Sequence, residues 1–284
     1  MEIVKSVLEV RRVIAAARKS GKTIGFIPTM GALHEGHLSL IRASKKKTSL
    51  AVVSIYVNPT QFAPSEDLEK YPRPIEKDIA LLEKENTDVL FLPSNDEIYP
   101  KGFSTFVTVG DITEGFEGLL RPTHFRGVAT VVASLFNIIQ PDVAFFGQKD
   151  LQQAAVIKRM VRDLHFPVQI EICKTVREGD GLAMSSRNRY LDLQEREEAL
   201  ILSQTLLNAQ DNLQSGLSFA DVKLKGAKFF DKLKKKAILE YLDIINPETF
   251  QLADSFKAKE DVAIIIAARI GEARLIDNVL VSKK

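Results

Sequence analysis

The chain has 284 residues, which at roughly 150 residues per domain suggests one large domain or two ordinary ones. Apolar residues make up 45% and charged residues 27%, a globular balance that excludes a disordered, collagenous or disulfide-stapled chain. With 39 basic against 37 acidic residues the net charge is +2, too even for a dedicated nucleic-acid binder, whose affinity rests on neutralising phosphates. The lone Cys173 cannot form an intrachain bridge, so nothing asks for an oxidising compartment. The most apolar run, Val262 to Ala268, is far shorter than the ~20 residues of a membrane-spanning helix. Lys5, Glu9, Arg11 and Arg12 interrupt the N-terminus where a signal peptide would be apolar. A soluble cytoplasmic protein with no nucleic-acid or membrane partner is expected.

In chain order, Val7, Leu8, Val13, Ile14 and Ala17 recur at helical spacing, with Gly21 as a stop. TIGFIP reads as a buried strand, residues 37–47 as a helix, and 51–57 as a second buried strand. A helix over 75–85, a strand over 88–93, a helix over 127–139, a strand in DVAFFG, a helix over 150–164 and a strand in PVQIEI follow. Short, nearly all-apolar strands alternating with helices predict a doubly wound parallel sheet covered on both faces. Such folds bind ligands beyond the carboxyl ends of their strands. The unusual residues fall there, at 28–37, 58–61 and 147–153. After residue 176 the periodicity lapses in VREGDGLAMSSRNRYLD. Helical stretches at 194–213 and 218–234 and strands in YLDII, VAIIIAAR and EARLIDNVLV then predict a smaller α+β unit. The expected domains are 1–176 and 177–284. The lysine clusters 45–47 and 234–236 read as solvated helix ends that complement the dipole.

Common nucleotide signatures are missing. No G-x-G-x-x-G follows the first strand, and SGKT at 20–23 lacks the first glycine of a phosphate-binding loop and precedes a strand. In their place stands Pro28-Thr29-Met30-Gly31-Ala32-Leu33-His34-Glu35-Gly36-His37. A helix starting here puts two imidazoles on one face, beside free N–H groups and a positive dipole end that suit phosphate. Gly31 and Gly36 let a ligand approach the backbone, and the dipole should lower the pKa of His37. Metal binding and a capping or core role stand beside this reading, although metalloprotease histidines are spaced i, i+4 rather than i, i+3. Ser185-Ser186-Arg187 offers hydroxyl and guanidinium donors to a polyphosphate, and Lys149 a point charge; ordinary loop chemistry and a solvated lysine are the plain alternatives.

Taken together, PTMGALHEGH and AMSSRN resemble the H-x-G-H and KMSKS-type elements of adenylate-forming nucleotidyl transferases. With SIYVNPTQF (54–62), YPR (71–73), RPTHFRGV (121–128), FFGQKDLQQ (145–153), TVREGDGLAMSSRNRYL (175–191) and ARLIDN (273–278), the set resembles the pantoate–β-alanine ligase (pantothenate synthetase) family. The resemblance implies a Rossmann-like, nucleotidyl-transferase-type domain for ATP and pantoate over 1–176. It also implies a smaller C-terminal α+β domain over 177–284, entered through the MSSRN loop.

The implied reaction joins (R)-pantoate to β-alanine through pantoyl adenylate, releasing pyrophosphate and AMP, with Mg2+ accompanying ATP. By position, Met30, Gly31, Ala32, Leu33, His34, Glu35, Gly36 and His37 would bind ATP, with Gly147, Gln148, Lys149, Asp150, Val176, Met184, Ser185, Ser186 and Arg187. His37, His34 and Lys149 would be catalytic. Gln61, Gln153 and Asn58 would hold pantoate, and Gln61 would also border β-alanine. Tyr71, Arg73, Arg121 and His124 would shape the pocket. No protein ligand to the metal is implied; Asp78 and Asp150 are considered, with a helix-terminal charge preferred for Asp78. A homodimer is implied. A transferase for another small acid and a non-catalytic nucleotide-binding protein remain as alternatives.

Overall fold

The computed structural model describes residues 1–63, 66, 68–256 and 260–283. In chain order the elements are β1 (Glu2–Val4), α1 (Val7–Lys19), β2 (Ile24–Thr29), α2 (Glu35–Lys47), β3 (Leu50–Ile55), α3 (Ile75–Lys84) and β4 (Val89–Phe91). Then come α4 (Asn95–Ile98), α5 (Glu117–Leu120), α6 (His124–Ile139), β5 (Val143–Gly147), α7 (Leu151–Asp163) and β6 (Gln169–Cys173). The chain finishes with α8 (Leu193–Glu198), α9 (Leu200–Gln214), α10 (Phe219–Leu233), β7 (Ile238–Ile245), β8 (Asp261–Ile270) and β9 (Ala273–Ser282). Two compact units result, one of Met1–Gly147 with Val156–Lys174 and the other of Gln148–Ala155 with Thr175–Lys284. Residues 148–155 thus join the C-terminal unit, where a single cut after 176 was expected.

The first unit holds a six-stranded sheet in the order β1-β4-β3-β2-β5-β6, with every pairing parallel. β2 pairs on one side with β3 and on the other with β5, so the winding reverses between β2 and β5. This reversal is the switch point outside which such sheets bind ligands. Alternate strand residues serve opposite faces. Ile27, Val53, Leu90 and Phe145 pack with Leu38 and Ile41 of α2 and Leu82 of α3. Phe26 and Phe146 instead meet Phe136 of α6 edge to face. Both faces are covered, as the doubly wound reading requires.

α1 shows how locally the sequence specifies its helices. Ser6 caps it and Glu9 returns the bond in a capping box, while Val10, Ile14 and Ala17 form its buried stripe. In the second unit, β7, β8 and β9 form an antiparallel sheet in that order. Ile264, Ile266 and Ala268 of β8 pack with Leu202 and Leu206 of α9 and Val222 and Phe230 of α10. The apolar run at 262–268 is therefore a core strand. No described helix is long and apolar enough to cross a membrane.

Candidate active site

The segment after β2 is shaped before α2 begins. Thr29 Oγ1 donates to the Ser54 carbonyl at 2.8 Å and accepts the Gly31 N–H at 3.2 Å. Gly31 has φ +80°, a left-handed conformation that glycine tolerates, and a Cβ there would come within 3.0 Å of both Asp78 Oδ2 and Ile55 Cγ2. Ala32 follows at φ +50°, which costs a residue with a Cβ about 1–2 kcal/mol. Asp78, in the first turn of α3 and only 1% exposed, holds this backbone in place. Its Oδ2 accepts the Ala32 N–H at 2.7 Å and its Oδ1 the Leu33 N–H at 2.8 Å. Asp78 is thus a charge in the first turn of its helix, as expected, but a buried one that clamps the loop.

His34 is the N-cap of α2, in extended backbone, and His37 is the third helical residue. The two rings lie 4.1 Å apart between centroids, and His37 Nδ1 accepts the His34 N–H at 3.4 Å. A nitrogen that accepts carries no proton, so a neutral His37 ring bears its hydrogen on Nε2. The imidazoles meet because one caps the helix that carries the other; they do not share a helical face. The Glu35 carboxylate is engaged by Arg42, which also bonds Glu85. Of Glu35, the backbone is what the helix terminus presents.

A second cluster forms beyond β3. Asn58 is 1% exposed and caps a 3-10 turn over Pro59–Gln61. Its Nδ2 donates to Gln61 Oε1 and to the Gly127 carbonyl, both at 3.1 Å, and its Oδ1 accepts from the Tyr99 and Thr60 hydroxyls, both at 2.9 Å. Gly127 permits this approach: a Cβ there would sit 2.4 Å from the Thr60 carbonyl oxygen. Gln61 Nε2 lies 2.9 Å from Met30 Sδ, which ties the turn to the loop after β2. His124 Nδ1 is 3.0 Å from the Gln61 carbonyl, and Arg121 pairs with Glu66 beside it. Burial, then the Arg121 charge, pushes the His124 pKa down to about 4, so the ring is neutral and Nδ1–H donates. Tyr71 is buried against Phe62.

In the other unit, Gln148–Asp150 form a 3-10 turn at the start of α7. Lys149 is mostly buried with Nζ 3.5 Å from Asp150 Oδ1, and Asp150 is half exposed. Asn278 Nδ2 donates to the Gln148 and Lys149 carbonyls at 2.9 and 3.0 Å. The loop over 176–188 is latched by backbone and side chains. Met184 N–H bonds the Val176 carbonyl at 3.0 Å, Arg177 pairs with Asp277, and Asn188 bonds Glu178 and the Ala183 carbonyl. Ser185 Oγ accepts the Arg187 N–H at 3.2 Å and caps the 3-10 turn over Ser186–Tyr190. Gln153 is partly exposed in the first turn of α7. Among the described residues no group of three or more His, Cys, Asp or Glu side chains could hold a metal ion.

The first unit therefore brings together Met30–His37, Asn58 and Gln61, and the second Gln148–Asp150, Val176 and Met184–Arg187. Sequence reasoning missed the tasks of Asp78, Asp277 and Asn278. For Asp78 a signal exists: it shares the buried stripe of α3 with Leu82, where a carboxylate is out of place without partners.

A switch-point sheet with a histidine-capped helix start after its first central strand defines an α/β enzyme of the nucleotide-using transferase and ligase class. The sequence model of the pantoate-beta-alanine ligase family matches residues 2–280. The chain is 48% identical to the pantothenate synthetase of Sulfurihydrogenibium sp. (strain YO3AOP1), over 98% of this chain and 99% of that protein. Its structure is similar to pantothenate synthetase from Thermus thermophilus, with TM-score 0.92 and 44% identity over 98% and 99% of the two chains. It is also similar to the pantoate-beta-alanine ligase of Francisella tularensis complexed with β-γ ATP and β-alanine, with TM-score 0.81 and 34% identity over 99% and 97%. The chain belongs to the pantoate–β-alanine ligase family, whose members condense pantoate with β-alanine.

Proposed function

We propose that the chain activates (R)-pantoate with ATP as pantoyl adenylate and transfers the acyl group to β-alanine, within the two groups of residues described above. The observation that carries this reading is the clamped start of α2. Asp78 fixes the Ala32 and Leu33 N–H groups, and His37 keeps Nε2–H as its donor. A preset backbone at the N-terminus of a 13-residue helix suits phosphate, since the positive end of the helix dipole lies there. The nucleotide in the Francisella tularensis complex supports the same choice of ligand.

In the first step a pantoate carboxylate oxygen attacks the α-phosphorus, and the bond to the pyrophosphate oxygen breaks. Negative charge gathers on phosphate oxygens, where the His37 Nε2–H and the Lys149 ammonium stabilise it, with His34 setting the His37 ring. Met30–His37, Gly147–Asp150, Val176 and Met184–Arg187 bind ATP. In the second step the β-alanine amine attacks the acyl carbon, the bond to AMP breaks, and the amine sheds its extra proton. Gln61 and Gln153 present amides to pantoate. Gln61 Nε2 faces a thioether, a weak acceptor that a pantoate oxygen can replace, and its position suits the β-alanine side as well. Asn58 acts by fixing Gln61, because its amide is spent on neighbours.

Mg2+ bound with ATP would neutralise phosphate charge while keeping most of its waters. Of the two carboxylates considered, Asp78 is spent on backbone N–H groups, and Asp150, half exposed, would be the one left to approach the ion. In this reading the unit of the parallel sheet binds pantoate and ATP, and the smaller unit, which includes residues 148–155, is entered through the MSSRN loop and supplies further ATP ligands. A cytoplasmic homodimer completes the proposal. The test is product analysis: pantothenate, AMP and pyrophosphate should form in equal amounts. ADP and inorganic phosphate would mean an acyl phosphate route and defeat it.

A further inference from the structure

β9 carries a carboxylate and an amide side by side, Asp277 and Asn278, and both are buried, 4% and 3% exposed. Buried polar groups need partners, and neighbouring strand residues face opposite ways, so the two find different ones. Asn278 Nδ2 donates to the successive carbonyls of Gln148 and Lys149 at 2.9 and 3.0 Å, and its Oδ1 accepts from Gln148 Nε2 at 3.1 Å. Asp277 receives both arms of Arg177, at 2.6 and 3.0 Å, and its Oδ1 also accepts the Asn278 N–H at 2.8 Å. Arg177 in turn donates to the Gly181 carbonyl at 3.0 Å, across the loop that leads to Met184.

One amide bound to two successive carbonyls pins two planar peptide units. Those planes set the direction in which the Lys149 side chain leaves the backbone. A bidentate arginine–carboxylate pair likewise fixes orientation as well as distance. Displacing a catalytic group by about 1 Å can cost on the order of a hundredfold in rate. We infer that Asn278 and Asp277 are positioning residues for the ATP half-reaction: Asn278 aims Lys149, and Asp277 sets the loop that presents Met184 to Arg187. This rests on the reading of those residues as phosphate ligands.

The test is a mutant cycle on the intact enzyme. Asn278→Ala should raise the KM for ATP and slow pyrophosphate exchange, each by about tenfold, while the KM for pantoate stays unchanged. If Asn278 acts through Lys149, then in a Lys149→Ala background Asn278→Ala should add less than about a twofold loss. A general folding role would instead add its full effect in both backgrounds and overturn the inference, as would an Asn278→Ala enzyme with unaltered ATP dependence. Lys149→Ala alone separates the two layers: if it leaves ATP use intact, the phosphate reading of Lys149 fails and the inference falls with it. Should Asn278→Ala not fold, Asn278→Ser, which keeps one donor, enters the same cycle and is judged by the same two results. Asp277→Asn should raise the KM for ATP in the same direction, and an unaltered value would remove Asp277 from the assignment.

Discussion

Asp78 Oδ1 accepts the Leu33 N–H at 2.8 Å across 45 positions of sequence, joining the first turn of α3 to the loop that opens α2. The companion bond to Ala32 makes the carboxylate a two-point clamp on backbone at positive φ. A buried carboxylate accepting two N–H groups is the correct chemistry for that task, since an amide would turn donors toward donors.

Asp78→Ala should therefore leave two buried N–H groups without partners and destabilise the protein by about 2–5 kcal/mol. Activity should suffer further, because Ala32 is then free to relax from its strained conformation and His37 moves with the loop. Urea unfolding and the rate of pantoate activation measure the two effects. A variant as stable as the parent, or one that is unstable yet fully active, would count against the clamp.

Gln61 sits between Asn58 and Met30 and should act on pantoate rather than on ATP. Gln61→Ala is expected to raise the KM for pantoate by about tenfold or more, with little change in the KM for ATP. Initial-rate kinetics with each substrate varied in turn decide the point. An unchanged pantoate dependence would withdraw Gln61 from the site.

His124 makes a distinct statement about pH. Its folded pKa of about 4 lies below its ordinary 6.5, so between those values the unfolded chain takes up a proton that the folded protein refuses. The stability this group supplies is complete above about pH 6.5 and is lost as the pH falls toward 4. The loss is on the order of 3 kcal/mol. His124→Asn, whose amide can donate to the Gln61 carbonyl, should flatten the acid limb of stability against pH. Parallel acid limbs for the two proteins in urea titrations from pH 7 to 4 would contradict the assignment.

Much of the architecture was legible because strands buried on both faces leave uninterrupted apolar runs. AVV at 51–53 and VAFF at 143–146 lie within β3 and β5. β1 went unread since three residues carry no periodicity. The helix expected over 194–213 is two, α8 and α9, joined at Ala199, whose αR conformation keeps the pattern nearly continuous. At the site, the residues that carry unusual chemistry on the chain itself, Gly31, His34, His37 and Lys149, could be picked out by type and placement. Asp78, Asn278 and Asp277 could not be given tasks, because their partners lie 45 to 130 positions away, backbone for Asp78 and Asn278 and the Arg177 guanidinium for Asp277. A contact of that kind leaves only a polar residue on an apolar face as its trace.

The most direct measurement is pantoate-dependent exchange of labelled pyrophosphate into ATP in the absence of β-alanine. The account expects exchange that requires pantoate and slows by roughly 10²–10⁴ in His37→Ala. Exchange with pantoate omitted, or none with pantoate present while ATP still binds, would contradict reversible formation of pantoyl adenylate.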